Sequence, residues 1–323
     1  MPQLEHVPSS SSRSMHQLDP SPVDEEPPVL NDSGIKDENV VNPEDVSEKD
    51  DSTYFPPTAG NVGVHRSRIP SVLLALQKYS TLPPTLYLIG HYTNTAIIPF
   101  STFSTQKAEN SLLLTRPYYQ SFPLEPLLIF APILTHVLSG LSLRIYRRFQ
   151  AAKRYGAETH ADRVKITKAL WPKLSLTSAL GYALYPMMVA HVIVNRITPL
   201  KVHGDSSSVG LRFFSHGMKR HPWLASIGYT LMVSVASWHF VGGAAKYLKL
   251  TREYVTEGGD YGAAQKRLRS RMVNIVSGVV AAIWAVGGVG IIGRGIGAPE
   301  GSAWEIKQWD EVYKAIPVVG SMM

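Results

Sequence analysis

The chain has 323 residues, of which 44% are hydrophobic and 18% charged, with a net charge of +7 and no cysteine. Without thiols there can be no disulfide, iron–sulfur cluster, thiolate zinc site or cysteine nucleophile. Charge is also divided along the chain: residues 1–53 carry thirteen acidic and three basic side chains, and the rest carries twelve and twenty-nine.

The N-terminal stretch is rich in Ser, Pro, Asp and Glu, and its first 53 residues hold no aromatic residue. Such a segment buries too little apolar surface to offset its ordering entropy. We therefore expect residues 1–65 to be a disordered, acidic, cytosolic tail. It has no apolar core like that of a secretory signal and is too acidic for a matrix presequence, so targeting is expected to come from internal spans. One apolar strip interrupts it, Leu18-Asp19-Pro20-Ser21-Pro22. Pro-x-Pro pre-sets an extended backbone and lowers the cost of docking to a partner, which nominates Leu18, Pro20 and Pro22. A tail this rich in proline also produces such spacing by chance.

Five stretches approach the roughly 20 apolar residues that a membrane-crossing helix needs. They are Leu82–Phe103, Leu124–Tyr146, Leu174–Arg196, Leu224–Leu248 and Met272–Ile292. The expected fold is an all-α membrane protein: a bundle of five transmembrane helices over residues 66–295 and a short C-terminal interfacial segment over 296–323. Gly, Ala and Ser recur within the spans, as close helix packing requires. The basic residues cluster between the spans, the usual place for membrane-flanking Lys and Arg, and not on a nucleic-acid surface. Sixteen of them fall in the loops on the tail side and ten on the other. The positive-inside rule then puts the tail and those loops in the cytosol.

Gly288-Val289-Gly290-Ile291-Ile292-Gly293 matches a dinucleotide fingerprint in letters only. No strand precedes it, and it lies within an apolar helix, so close packing is the better reading. Ala303–Tyr313 reads as an amphipathic helix with Trp304 and Trp309 at headgroup depth, or as an ordinary surface helix.

Four of the eleven histidines fall in spans: His91, His136, His191 and His239, one in each of the first four. Ionisable side chains in a bilayer normally face the bundle interior with a partner. His136 and His239 lie at one depth, about 15 and 14 Å from the same side at 1.5 Å per residue. Both stand in an H-x-x-x-G context, ending at Gly140 and Gly243. The levels of His91 and His191 match less well. One reading has each imidazole hydrogen-bonded across helices. The other has paired neutral imidazoles as axial ligands of haem b, with His136 and His239 the better iron-binding pair.

One histidine per span over four spans resembles the di-haem cytochrome b anchors of succinate and fumarate dehydrogenases. That resemblance implies that His91 pairs with His191, and His136 with His239. The lines LPPTLYLIGHYTNTAIIPF, HVLSGLSLRIYRR and SWHFVGGAAKYL resemble the membrane domain of the fungal Mdm-ten-complementing proteins, over about residues 70–295. This second resemblance implies a mitochondrial outer-membrane adaptor, not an enzyme, acting in lipid homeostasis. Such an adaptor works among membrane lipids and recruits a bridge-like lipid-transfer protein of the vacuolar-protein-sorting-thirteen type through a tail Pro-x-Pro motif. No nucleic-acid partner is expected.

Overall fold

The computed structural model describes residues 68–154, 159–165, 174–317 and 319–322. The expected tail, with Leu18, Pro20 and Pro22, lies outside the described residues. Within them the secondary structure is helical, with no strand. Helix α1 (Ile69–Tyr79) leads into α2 (Leu82–Tyr92), which continues through a π-helical turn (Thr93–Ile97) into Ile98–Thr102. Helix α3 is Thr105–Thr115 and α4 is Ala131–Arg154, preceded by a π turn, Pro126–Phe130. Helix α5 (Leu176–Val192) runs on through a π turn (Ile193–Ile197) to Thr198–His203. Helices α6 (Leu211–Arg220), α7 (Pro222–Tyr247), α8 (Gly259–Trp284, extended by the π segment Ala285–Ile292) and α9 (Ala303–Lys314) follow.

Four helices among the described residues are long and apolar enough to cross a membrane: Pro126–Ala152, Leu176–His203, Pro222–Tyr254 and Gly259–Ile292. The chain is a multi-pass membrane protein. The first expected span is present as an unbroken helical run over 82–102, long enough to cross but diluted by Thr, Asn, Tyr, His and Pro. Exposed and buried residues are distributed as in a membrane bundle. Leu86, Leu134, Leu231 and Val279 lie on the outside, while Ala96, Ser237, Gly242, Ser277 and Gly287 are buried. Small residues let the helices approach, and the long aliphatic chains are left for lipid.

Three of the π turns end two residues before a proline, at Pro99, Pro132 and Pro199. Proline lacks an N–H, and its ring strikes the carbonyl one turn back. A widened turn shifts that carbonyl aside, so each helix passes its proline without ending.

Helix α8 is the central element. Trp284 Nε1 donates to Thr95 Oγ1 (3.1 Å), and the Tyr92 hydroxyl donates to the Val280 carbonyl (3.1 Å). Gly287 and Gly288 lie directly against the carbonyls of Ala96 and Thr95, so the fingerprint-like run begins at a helix crossing. At that end of the bundle α3 is tied to α2 by Asn94, whose amide donates to Thr115 and accepts from Ser111 (2.8 Å each). Arg196 and Glu125 form a two-pronged ion pair (2.8 and 2.5 Å) that joins α5 to the start of α4.

Helix α9 docks on α6. Arg212 meets Glu305 (2.6 Å), and Asp310 accepts from Arg220 (2.7 Å) and pairs with His216 (2.7 Å). Trp309, Val312, Tyr313 and Ile316 form one apolar face against Val209 and Phe213. The two tryptophans of α9 have different surroundings. Trp304 is 66% exposed, but Trp309 is 4% exposed and donates from Nε1 to the Ser208 carbonyl. A 3.6-residue period turns these two side chains to different faces.

Candidate functional site

The four span histidines meet in two pairs. The ring centres of His136 (α4) and His239 (α7) are 6.3 Å apart, and those of His91 (α2) and His191 (α5) are 6.2 Å apart. The ring planes cross at 72° in both pairs. Uneven depth, as judged from sequence, does not keep the second pair apart. Helix α1 carries the first helical segment well upstream of Leu82, and α5 runs past Arg196 to His203, so the limits assigned to both spans were too short.

Each ring is held through Nδ1. His136 Nδ1 lies 3.0 Å from the Gln77 carbonyl, and His239 Nδ1 lies 2.9 Å from the Thr177 carbonyl. His191 Nδ1 is 3.3 Å from the Asn195 amide nitrogen, and His91 Nδ1 is 3.4 Å from the Tyr87 hydroxyl. Among the described residues no Nε2 of these four has a hydrogen-bond partner. An imidazole that donates Nδ1–H to a carbonyl is fixed in the tautomer whose Nε2 lone pair is free for a metal.

The spacing accommodates one metal atom between two rings. Two metal–nitrogen bonds of about 2 Å, plus about 1.1 Å from each nitrogen to its ring centre, give a centre-to-centre distance of about 6.2 Å. Among the described residues no three His, Cys, Asp or Glu side chains converge on a point. A bare ion would thus find only two protein ligands. A group that brings four equatorial nitrogens of its own needs no more than two.

The walls differ between the pairs. Tyr87 stacks on His91 (5.4 Å), with Trp284 edge-on to the same ring (6.3 Å) and Tyr229 edge-on to His191 (5.9 Å). His191 also lines an apolar pocket of about 270 Å³ with Met187, Met218, Met232 and Tyr229. Near the other pair a methyl group added at Gly181 would stand 2.7 Å from His239 Cε1, so α5 approaches the imidazole through a missing side chain. The two H-x-x-x-G glycines part company: Gly243 faces open space, but the volume beside Gly140 is taken by Gln77 from α1.

A repeat that sequence reading missed explains why the pairs form. His91 precedes a π turn and Pro99, and His191 precedes a π turn and Pro199, with the same spacing. Gln77 and Thr177, whose carbonyls hold His136 and His239, lie fourteen residues before His91 and His191 respectively. The α1–α4 and α5–α7 segments are two versions of one unit. Each pair draws one histidine from each unit, and for a straight helix the two levels are about 21 Å apart. The signal was the shared H-x₇-P spacing, obscured because little else matches between the units.

Residues 186–296 match the family model described as the transmembrane domain of MDM10-complementing protein 1. The match runs from Pro186 within α5 to Ile296, just past the end of α8, and takes in His191 and His239. No curated protein matches the chain, and neither does any solved structure.

Proposed function

We propose that the protein is a mitochondrial outer-membrane adaptor in lipid homeostasis, with its acidic tail in the cytosol and a five-span bundle as its anchor. The match of residues 186–296 to the MDM10-complementing protein 1 membrane domain carries this reading. The fifth span is the 82–102 run, whose polar side chains turn inward on α3 and α8 as Asn94 and Thr95 do. The role is recruitment, not catalysis. Leu18, Pro20 and Pro22 dock a bridge-like lipid-transfer protein at a membrane contact site. Changing Pro20 and Pro22 together to alanine should cost on the order of 2 kcal/mol, some thirtyfold in affinity. That partner should then leave mitochondria while membrane insertion is unchanged. Recruitment that persists in the double variant but is lost on deleting residues 30–53 would move the docking site within the tail.

A second reading is favoured by the two histidine pairs: the bundle holds haem b, with His91 and His191 on one group and His136 and His239 on the other. All four imidazoles fit that role in spacing, and His136 and His239 fit it also in tautomer, with Nδ1–H on a carbonyl and the Nε2 lone pair free. Haem would supply one-electron chemistry, and the chain would fix its axial ligands and exclude water. Adaptor and haem protein are compatible roles. Purified full-length protein should show a Soret band and sharp reduced α-bands. His136→Ala or His239→Ala should remove one haem and leave the other. Folded protein with no Soret absorbance after haem supply would end this reading and leave the adaptor reading intact.

A further inference from the structure

The end of the bundle where α8 begins carries an open pocket of about 710 Å³. Its lining includes Arg252, Lys266, Arg267, Arg271, Asn274 and Ile275, with no acidic residue. None of the four cations has an ion-pair or hydrogen-bond partner among the described residues. The pocket is assembled from two elements. Arg269 donates to the Lys249 and Thr251 carbonyls (3.1 and 3.3 Å), which folds the α7–α8 connection back onto α8 and brings Arg252 beside Arg267 and Arg271. Asn274 is held by Trp238, whose Nε1 donates to its side-chain oxygen (3.2 Å), so the amide nitrogen remains as a donor. Four cations around one space repel one another, and an anion there relieves all four.

We propose that this pocket binds the phosphate of an anionic phospholipid in the adjoining leaflet. The proposal rests on the chain crossing a membrane, and on neither tail recruitment nor haem. What distinguishes a lipid from a soluble phosphate is the surface below. Ile275 lines the pocket, and Val279 continues the same α8 face one turn on, 54% exposed. The cations thus lie where the apolar part of α8 starts, at the height of a headgroup, with an aliphatic strip beneath for the acyl chain. Basic pockets at helix ends on the cytosolic side bind acidic headgroups in this way.

The test uses the full-length protein in phosphatidylcholine nanodiscs carrying a minor fraction of phosphatidic acid, with retained lipid counted by native mass spectrometry. Arg267→Gln with Arg271→Gln should lower retention of phosphatidic acid about tenfold. Arg147→Gln with Arg148→Gln removes the same charge from α4 outside the pocket and should change retention less than twofold. Soluble glycerol phosphate should not displace the lipid. Unchanged retention in the pocket variant would overturn the proposal, as would an equal loss in the α4 variant, which would mean diffuse charge. Displacement by glycerol phosphate would identify a soluble-anion site and overturn the lipid assignment. Failure of wild-type protein to enter nanodiscs would count against the membrane reading itself. Circular dichroism of each variant separates lost binding from lost folding.

Discussion

At the scale of single residues, the candidate site depends on what is absent beside the imidazoles as much as on the imidazoles themselves. Gly181 lets α5 pass His239 at a distance no side chain allows. Gly181→Ala should therefore push the His239 ring away from His136 and, on the haem reading proposed above, lower haem content from two groups towards one by pyridine haemochromogen assay. Gly90→Ala, one residue before His91 and with nothing within 4 Å of the added methyl, is the control and should leave haem content unchanged. Loss of both haems in Gly181→Ala would point to a folding defect in place of a local clash. That these histidines need partners was legible from cost: four ionisable side chains in apolar helices demand them. Which atom His136 and His239 present was not, because their Nδ1 is engaged by the carbonyls of Gln77 and Thr177, about sixty positions away in the chain.

At the scale of elements, two contacts decide how helices sit. The first is the α2–α8 crossing. A Cβ at Gly287 would run into the Ala96 carbonyl, which is backbone and cannot swing aside. Gly287→Ala should force α2 and α8 apart and cost about 1–3 kcal/mol, as overpacking does. Gly243→Ala, in open space on α7, should be close to neutral. Thermal unfolding of both variants in one detergent checks the difference. The second contact is the docking of α9. Ser302 and Glu305 form a capping box, and backbone and side-chain hydrogen bonds from Ser302, with Arg212 beside them, hold the Glu305 carboxyl below its usual pKa of 4.5. A carboxylate with a lowered folded pKa stabilises the docked state above the unfolded value, and that stability is lost as pH falls through the folded one. Protection of α9 against hydrogen exchange, corrected for the intrinsic rate, should therefore fall below about pH 4.5. Glu305→Gln should flatten that response, at a cost of about 1 kcal/mol at neutral pH. An unchanged acid response in that variant would overturn the assignment to Glu305.

At the scale of the whole molecule, the sequence by itself determined that this is a multi-pass helical membrane protein, because apolar length and the placement of Lys and Arg are local properties that read directly from residue order. It also placed His136, His191 and His239 in long apolar helices and read the glycine-rich run as a packing segment, which meets α2 at Gly287 and Gly288. Helix limits were less legible. The first apolar stretch begins at Leu82, yet the helical α1 lies before it against α4, and the π turns carry helices through prolines that would otherwise end them. What covers α9 was not legible either: an amphipathic helix shows that one face is covered, and the structure shows that α6 covers it. The pairing of the histidines, expected from depth for His136 with His239 and from resemblance for His91 with His191, takes its distances from the tertiary structure. His91 and His191 are a hundred positions apart, and α1–α4 and α5–α7 must pack as two copies of one unit before their rings stand 6.2 Å from each other. Residue spacing along one helix sets depth, but the distance between two helices is set by the small residues at which they cross.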